Sequence, residues 1–154
     1  VPLLNRSDLH IAYEPRTALD LTIQGQFLFE MQKLCRGTGA GLIWITHDLS
    51  VVSGLADDVC VMYAGRIVEA GTVDDVLEHP LHPYTRGLLD SVPGRNIPGR
   101  PLAQIPGMTP SLLDLGEGCA FRERCTRAVE ECRVAPPIRF PSAGRTLRCV
   151  DPNP

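Results

Sequence analysis

The sequence has 154 residues, of which 44% are apolar and 21% are charged, and its formal net charge is −3 at pH 7. This composition is typical of a folded globular protein, and it excludes a disordered tail and a basic surface for nucleic acid. The apolar runs are too short to span a bilayer and the first residues do not form a secretion signal, so we expect a cytosolic chain. Because the sequence begins at Val1 and apolar segments start almost at once, we also expect a piece of a longer protein.

The first part of the chain alternates between strands and helices. Residues 9–13 predict a short strand, and Asp20 is a suitable N-cap for a helix that runs to about Arg36. The continuous apolar run 41–46 predicts a strand covered on both faces, and residues 49–56 predict a second helix. This alternation predicts an open α/β sheet, in which ligands bind beyond the carboxyl ends of the strands.

A hairpin and two shorter helices are predicted next. The turn at Ala64 and Gly65 joins two strands, and each following helix opens with a residue that suits a helix start. Proline and glycine become dense from Pro93 onward, which indicates a domain boundary near that residue. The predicted segments are strands at 58–63 and 66–71 and helices at 72–79 and 84–92.

Two polar residues follow the first two predicted strands. Glu14 ends the first strand and His47 follows the second. A glutamate at a strand end can orient and deprotonate water, although either residue alone is more simply explained as a solvated loop residue. Their placement on neighbouring strand ends predicts a catalytic edge.

Six cysteines are unevenly distributed. Cys35 and Cys60 lie in apolar patterns and are expected to be free, buried thiols. The other four have the spacing C-x5-C-x6-C-x16-C, which implies a metal site or disulfides, and a cytosolic setting argues against disulfides. The short zinc knuckle is absent, but spacing alone does not distinguish zinc from an iron–sulfur cluster. These four are Cys119, Cys125, Cys132 and Cys149.

Several short sequences, in the expected order, resemble one family. IAYEPRTALD (11–20) resembles the Walker B and D-loop segment of ATP-binding cassette (ABC) ATPases, and ITHDLS (45–50) resembles their switch-histidine segment. VMYAGRIVEAG (61–71) resembles the strand pair that follows. EHPLHPYTRGLLDSVP (78–93) resembles the start of the C-terminal extension of ATP-binding subunits of oligopeptide, dipeptide and nickel importers, and the cysteine-rich tail fits the same extension.

This resemblance implies a fold and a division into domains. The fold is α/β: residues 1–78 correspond to the C-terminal half of an ABC-type P-loop NTPase domain. Residues 79–154 correspond to a small, irregular, cysteine-rich extension. Within that extension, His82 is expected to dock it onto the nucleotide domain rather than to bind a metal.

The resemblance also implies roles for single residues. Glu14 matches the glutamate that polarises the attacking water, His47 the histidine that contacts the γ-phosphate, and Asp20 the D-loop aspartate at the interface of the nucleotide-domain dimer. The cofactors implied are ATP and Mg²⁺. A structural [4Fe–4S] cluster on the four clustered cysteines is favoured, with zinc as the alternative. The nearby Arg122, Arg124 and Arg127 either offset the charge of such a cluster or form a solvated basic face.

Two residues depart from the family pattern. Tyr13 replaces an aspartate that helps to hold the Mg²⁺ shell, and a neutral phenol is a poor partner for that cation. Arg16 replaces a small polar residue and is expected to draw Glu14 into an ion pair. In addition, no G-x-x-x-x-G-K-[ST] phosphate loop, signature motif or Q-loop occurs in the sequence, so the chain alone is expected to be inactive.

The resemblance implies part of an ATP-binding subunit that couples ATP hydrolysis to peptide import. The partners implied are a second ATP-binding subunit, two membrane permease subunits and, indirectly, a peptide-binding protein, at the inner face of the membrane. Two alternatives stay open: a non-catalytic iron–sulfur docking module, and a decayed, truncated gene product. Because part of the family's sheet is missing, we also expect uncovered apolar surface and poor stability.

Overall fold

The computed structural model describes residues 7–15, 21–96, 99 and 101–154. The chain divides into two compact units, Val1–Ala56 and Asp57–Pro154. The domain division predicted between residues 78 and 79 rests on the family resemblance and stays a prediction. In the first unit the described elements are β1 (Leu9–Tyr13), α1 (Leu21–Thr38), β2 (Gly41–Ile45) and α2 (Leu49–Leu55). In the second they are β3 (Asp58–Tyr63), β4 (Arg66–Thr72), α3 (Val73–Glu78), α4 (Pro83–Asp90) and β5 (Thr146–Leu147), with 3₁₀ turns at Pro93–Arg95, Arg122–Arg124 and Glu130–Arg133.

The first unit is built on two parallel strands joined through a helix. β1 pairs with β2 in a register that places Leu9 opposite Gly41 and Tyr13 opposite Ile45. The connecting helix α1 ends at a left-handed glycine, since Gly39 has φ +72° and its N–H donates to the Cys35 carbonyl at 2.8 Å. The strand–helix–strand order predicted from the sequence is confirmed. Parallel strands bring their carboxyl ends to the same edge, and this is what positions the candidate site.

Packing in the first unit is light. Met31 on α1 and Val51 on α2 are each 5% exposed. The rings of Phe27 and Trp44 lie 6.0 Å apart, and the Gln32 side-chain amide donates to the Gly54 carbonyl at 2.6 Å. These contacts hold the two helices together and pack α1 against β2.

The other face of this small sheet is open, which corrects one prediction. The run 41–46 is continuously apolar, but Ile43 and Ile45 are 47% and 44% exposed, and Ile11 on β1 is 66% exposed. Exposure alternates along both strands, as side chains must in a β-strand. β2 is therefore covered on one face within the described residues, and the uncovered apolar surface expected from the sequence is present.

The second unit contains an antiparallel sheet in the order β3-β4-β5. Ala64 and Gly65, with φ +47° and +77°, form the tight turn between β3 and β4, so the predicted hairpin is confirmed. The third strand of the predicted α/β alternation therefore lies in a separate antiparallel sheet. Exposed and buried side chains alternate strictly along β3, and Cys60 is therefore exposed, contrary to prediction. Cys35, in the first unit, is only half-buried.

The two helices of the second unit have well-formed starts. The Thr72 hydroxyl accepts from the Asp75 N–H at 3.2 Å, which caps α3. His82 caps α4, whose first residue is Pro83, as a proline at this position favours. Both helices were predicted, and α4 ends two residues earlier than expected. No helix among the described residues is long and apolar enough to cross a membrane.

Candidate functional site

Glu14 and His47 meet at the carboxyl edge of the parallel pair. The Glu14 N–H donates to the Ile45 carbonyl at 2.9 Å, which continues the strand pairing by one residue. The His47 N–H donates to Glu14 Oε1 at 3.0 Å, and His47 Nδ1 lies 2.6 Å from the same oxygen. The structure thus brings together the two residues that the sequence placed on neighbouring strand ends.

The backbone at Glu14 is unusual. Its φ is +42°, in the left-handed region that residues with a side chain rarely adopt. Such conformations cost about 1–3 kcal/mol and persist where the surrounding structure imposes them, often at functional sites. Here the hydrogen bond to Ile45 and the bonds from His47 impose it. The strand therefore ends abruptly, and the carboxylate turns toward β2.

The exposure of the two side chains differs greatly. Glu14 is 21% exposed and His47 is 79% exposed. Because an ionised carboxylate only accepts hydrogen bonds, the short contact places a proton on His47 Nδ1. A neutral ring in this tautomer has an acceptor at Nε2 and presents it to solvent. The carboxylate is therefore held by the chain, while the imidazole is accessible to a ligand.

The other predicted residues of this site are placed as follows. Tyr13 is 75% exposed and belongs to the exposed set of alternating residues on β1. Asp20 and Arg16 lie outside the described residues. The predicted effects of Tyr13 on Mg²⁺ and of Arg16 on Glu14 remain predictions.

The four clustered cysteines line one small cavity in the second unit. Its volume is about 10 Å³, roughly the space of one water molecule. Arg122 and Arg127 also line it, whereas Arg124 points elsewhere and donates to the carbonyls of Pro106 and Ile105 at 2.8 and 3.4 Å. The cavity-lining cysteines are Cys119, Cys125, Cys132 and Cys149.

Short-range backbone contacts shape this cavity. The Cys119 N–H donates to the Cys132 carbonyl at 2.8 Å, which joins two of the cysteine turns directly. Gly118 makes this approach possible, since a Cβ there would lie 2.7 Å from the Cys132 oxygen. At the rim, the Arg127 guanidinium pairs with Asp151 Oδ1 at 3.0 Å. The thiols are therefore held near one another by packed, hydrogen-bonded turns and not by an extended loop.

Three of the four cavity thiols have a raised pKa. Burial is the main cause that raises the pKa of Cys119, Cys125 and Cys149, the last to about 11, and the neighbouring thiols raise each pKa further. Any metal that binds them must displace protons. Within the described residues, no set of three or more His, Cys, Asp or Glu is arranged around a single metal ion. The donors are soft and share one cavity, but they do not converge on one point.

Sequence reasoning missed a buried ionic group beside this cavity. Glu69 on β4 is 0% exposed, and its Oε1 accepts from Arg145 at 2.7 Å and from the Leu81 N–H at 2.9 Å. Arg145 is also nearly buried and packs over Gly71. The evidence in the sequence for a buried Glu69 was weak. Glu69 lies in an otherwise apolar strand, but an exposed residue on an edge strand gives the same pattern. Its burial is accounted for by the pairing with Arg145, 76 positions away, together with the N–H groups of Leu81 and His82.

The chain is similar to known transport proteins. Residues 68–132 match the family described as the oligopeptide/dipeptide transporter, C-terminal region. The oligopeptide transport ATP-binding protein OppD of Salmonella typhimurium is 47% identical over 150 residues, which cover 97% of the chain and 45% of that protein. OppD of Haemophilus influenzae is 45% identical over 147 residues, 96% of the chain and 46% of that protein.

The chain thus spans a little under half the length of these relatives. The matched family region includes most of β4, all of α3 and α4, and three of the four cavity cysteines. The resemblance that the short motifs indicated is confirmed to this extent. The chain is homologous, over nearly its whole length, to oligopeptide transport ATP-binding proteins, and residues 68–132 are similar to the C-terminal region of oligopeptide/dipeptide transporters.

Proposed function

We propose that this chain provides the hydrolysis edge of a nucleotide site in the ATP-binding subunit of an ABC importer for peptides. The observation that carries the proposal is the contact of Glu14 with His47 at the carboxyl edge of two parallel strands. In this proposal Glu14 orients the attacking water as a general base, and His47 contacts the γ-phosphate. Phosphoryl transfer depends on such positioning and on charge stabilisation more than on covalent chemistry.

The tautomer of His47 gives this proposal a specific feature. With its proton on Nδ1, the neutral ring offers only an acceptor to a phosphate oxygen. A γ-phosphate contact therefore requires a second proton on the ring, or movement of the ring away from Glu14. Either change alters the hydrogen bond between His47 and the Glu14 carboxylate when ATP binds. The pair is therefore suited to sensing the γ-phosphate.

The remainder of the nucleotide site must come from outside this sequence. Lys33 is the only lysine, and it lies on α1 without the glycine-rich loop that positions a phosphate-binding lysine. The ATP phosphates and Mg²⁺ would be held largely by a phosphate loop on another segment. We propose a second ATP-binding subunit and two membrane permeases as partners, which would hold the complex at the inner face of the membrane. Asp20 would contribute to the dimer interface.

Co-expression tests this assignment. The chain would be combined with a polypeptide that carries the phosphate loop and signature segment of this ATPase family, and ATP hydrolysis would be measured. Removal of the general base in Glu14→Gln should lower kcat by about 10²–10⁴-fold. Loss of a charge-stabilising contact in His47→Ala should lower it by about 10²–10³-fold. Glu117→Gln, at an exposed site in the second unit, is the matched control and should have no effect.

The same assay examines the unusual tyrosine. Tyr13→Asp restores a hard oxygen ligand and should lower the Mg²⁺ concentration needed for half-maximal hydrolysis in the combined system. Without the second polypeptide this variant should remain inactive. Hydrolysis by the 154-residue chain alone, or equal activity of Glu14→Gln and the parent, would refute the proposed role of the edge.

We propose that the four cavity cysteines hold a [4Fe–4S] cluster with a structural role, and zinc is the alternative. Support comes from four soft donors around one cavity, with basic side chains at its wall. Zinc requires four sulfurs converging on one ion at ~2.3 Å, whereas a cluster is bound by sulfurs that remain spread around it. The cavity is small, so its walls must part during loading. When bound, the cluster would cross-link the turns that carry the cysteines.

Metal analysis distinguishes these possibilities. We expect anaerobic reconstitution with iron and sulfide to give the iron and sulfide stoichiometry and the visible absorbance of a [4Fe–4S] cluster, and Cys132→Ser to lose both. Cys60→Ser, at an exposed cysteine away from the cavity, is the control. One zinc ion per chain, with no affinity for iron and sulfide, would favour the alternative.

A second candidate function is a non-catalytic, cluster-binding docking module. The observation that favours it is Tyr13, since a phenol stands where a metal-organising carboxylate belongs. This candidate predicts an intact cluster in the combined system with no ATP hydrolysis, even after Tyr13→Asp. Hydrolysis that depends on Glu14 would exclude it.

A further inference from the structure

Two of the cavity cysteines, Cys119 and Cys132, are joined directly through their backbones. The Cys119 N–H donates to the Cys132 carbonyl at 2.8 Å. The preceding residue makes the same close approach, because a Cβ on Gly118 would lie 2.7 Å from the Cys132 oxygen and 2.9 Å from the Arg133 oxygen. The turns that carry these two cysteines are therefore in contact, although Cys125 lies between them in the sequence.

The contact between these turns suits a disulfide. In an antiparallel pair joined by backbone hydrogen bonds the Cα atoms lie about 5.5 Å apart, and disulfides usually join Cα atoms about 4.4–6.8 Å apart. A disulfide also requires side chains that converge, and both thiols line one cavity of about 10 Å³. Cys132 is buried, Cys119 is half-buried, and both are free thiols in the structure. The pair can thus be bridged with little movement of the backbone.

We propose that Cys119 and Cys132 form a reversible disulfide when the cavity holds no metal, with a low-molecular-weight disulfide such as oxidised glutathione as the oxidant. The thiolate of Cys119, the more exposed of the two, attacks one sulfur of the oxidant, breaks its S–S bond and releases a glutathione thiolate. The Cys132 thiolate then attacks the Cys119 sulfur of this mixed disulfide and releases the second glutathione thiolate. The two cysteine protons pass to the two released thiolates, so the chain is oxidised by two electrons and the oxidant is reduced to two thiols.

This disulfide would regulate the proposed metal site. A cluster or a zinc ion binds cysteines as thiolates, so it competes with the disulfide for the same two sulfurs. The competition rests on the proposed iron–sulfur cluster, whereas the disulfide of the metal-free chain does not. In a reducing compartment a disulfide is usually transient and redox-sensing, which agrees with a reversible block on metal loading.

The choice of partners distinguishes this inference from unspecific oxidation. In an unfolded chain short loops close more readily than long ones, so cysteines that are neighbours in the sequence pair more often. Those pairs are Cys119 with Cys125 and Cys125 with Cys132, and each closes a loop of about half the length, which favours it by about threefold. A bond between Cys119 and Cys132 omits the cysteine between them, and it therefore reports the tertiary contact.

Peptide mapping of the metal-free, 154-residue chain tests the proposal. The chain would be incubated anaerobically with oxidised and reduced glutathione, its remaining thiols alkylated, and the product digested with trypsin. Trypsin places each cavity cysteine on a separate peptide, since Arg122, Arg127 and Arg133 lie between them. Mass spectrometry should show the Cys119 and Cys132 peptides linked as the main product.

Matched samples separate the contributions of the fold, the partner thiol and the metal. In urea the parent should lose this preference, and each sequence-neighbour pair should exceed the Cys119–Cys132 pair by about threefold. Cys132→Ser should lose the linked product, whereas Cys149→Ser, which removes another thiol of the same cavity, should retain it. Cys60→Ser is the control at an exposed cysteine away from the cavity, and it should retain the link. The parent loaded with iron and sulfide should form no link.

The outcomes that overturn the inference are distinct from those that overturn the cluster. If the metal-free chain forms no disulfide, links other cysteines, or gives the same products in buffer and in urea, the inference is wrong and the proposed cluster is unaffected. If the loaded chain forms the disulfide while its cluster stays intact, the competition is refuted. A parent that takes up no iron and sulfide refutes the proposed cluster, and the mapping of the metal-free chain still decides the disulfide.

Discussion

The two units of this chain bury their residues in different ways. In the first, Met31 and Val51 are the buried apolar side chains among the described residues, and both strands present an open apolar face. In the second, an apolar core surrounds a fully buried carboxylate, Glu69, and its guanidinium partner, Arg145. The unit that carries the candidate catalytic pair is thus the one with fewer buried side chains among the described residues.

This difference indicates where the chain depends on other protein segments. An open apolar face on a two-stranded sheet is surface that a larger sheet or packed helix normally covers. The buried Glu69 carboxylate, in contrast, has its partners within the second unit. We therefore expect the second unit to fold cooperatively and the first to be less stable. The single tryptophan, Trp44, reports on the first unit, while Tyr63 and Tyr84 report on the second.

The largest effect is expected from breaking the buried ion pair. Arg145→Met leaves the Glu69 charge without its partner at 2.7 Å, and loss of one partner of a buried pair typically costs about 3–5 kcal/mol. The free energy of unfolding of the second unit would be measured in urea by tyrosine near-UV circular dichroism. Arg133→Met is the control, because its pair with Glu130 is solvent-exposed, and it should show no measurable change. Equal effects of the two variants would contradict the contrast between the units.

Acid should destabilise the second unit through His82. Burial lowers the pKa of its ring from 6.5 to about 4, so between these values the unfolded chain binds more protons than the folded one. The contribution of His82 to stability should be constant above pH 6.5 and should fall as the pH drops toward 4, by about 3 kcal/mol in total. Urea unfolding of the metal-free chain across this range measures the slope. His82→Gln should remove this contribution, and an unchanged slope in that variant would assign it to other groups.

A smaller effect is expected from the glycine beside the cysteine turns. In Gly118→Ala the new Cβ would lie 2.7 Å from the Cys132 oxygen and 2.9 Å from that of Arg133. Both atoms belong to the backbone, so the turn must shift, at a cost of about 1–3 kcal/mol. Gly116→Ala, where nothing lies within 4 Å, is the matched control. Thermal unfolding of the second unit would compare them, and two equal melting temperatures would show that the close approach is not required.

The smallest effect is expected on the open face of the first unit. Ile11 is 66% exposed, so Ile11→Thr should change the free energy of unfolding by no more than about 0.5 kcal/mol, measured by Trp44 fluorescence. Val76→Thr in the second unit is the contrasting variant. It buries a hydroxyl at a 0% exposed site and should cost about 1–3 kcal/mol. A cost for Ile11→Thr comparable to that of Val76→Thr would mean that this face is packed in solution.

The sequence by itself determined most of the local structure. β-Branched runs, capping residues and the Ala64-Gly65 turn specify their own elements, because these preferences act within a few residues. It also placed Glu14 and His47 at strand ends, and the parallel pairing then had to bring them to one edge. The cysteine spacing and the family resemblance were also evident from the sequence alone.

Only the tertiary structure decided what covers each element. The sequence predicted a doubly covered β2 and a buried Cys60, yet Ile43 and Cys60 are exposed, because periodicity shows which residues share a face but not whether another element covers it. Burial of Glu69 depends on Arg145, 76 residues away, and on the backbone N–H of His82, 13 residues away. Such pairings join segments that are distant along the chain, and their free energy exists only once those segments are packed together.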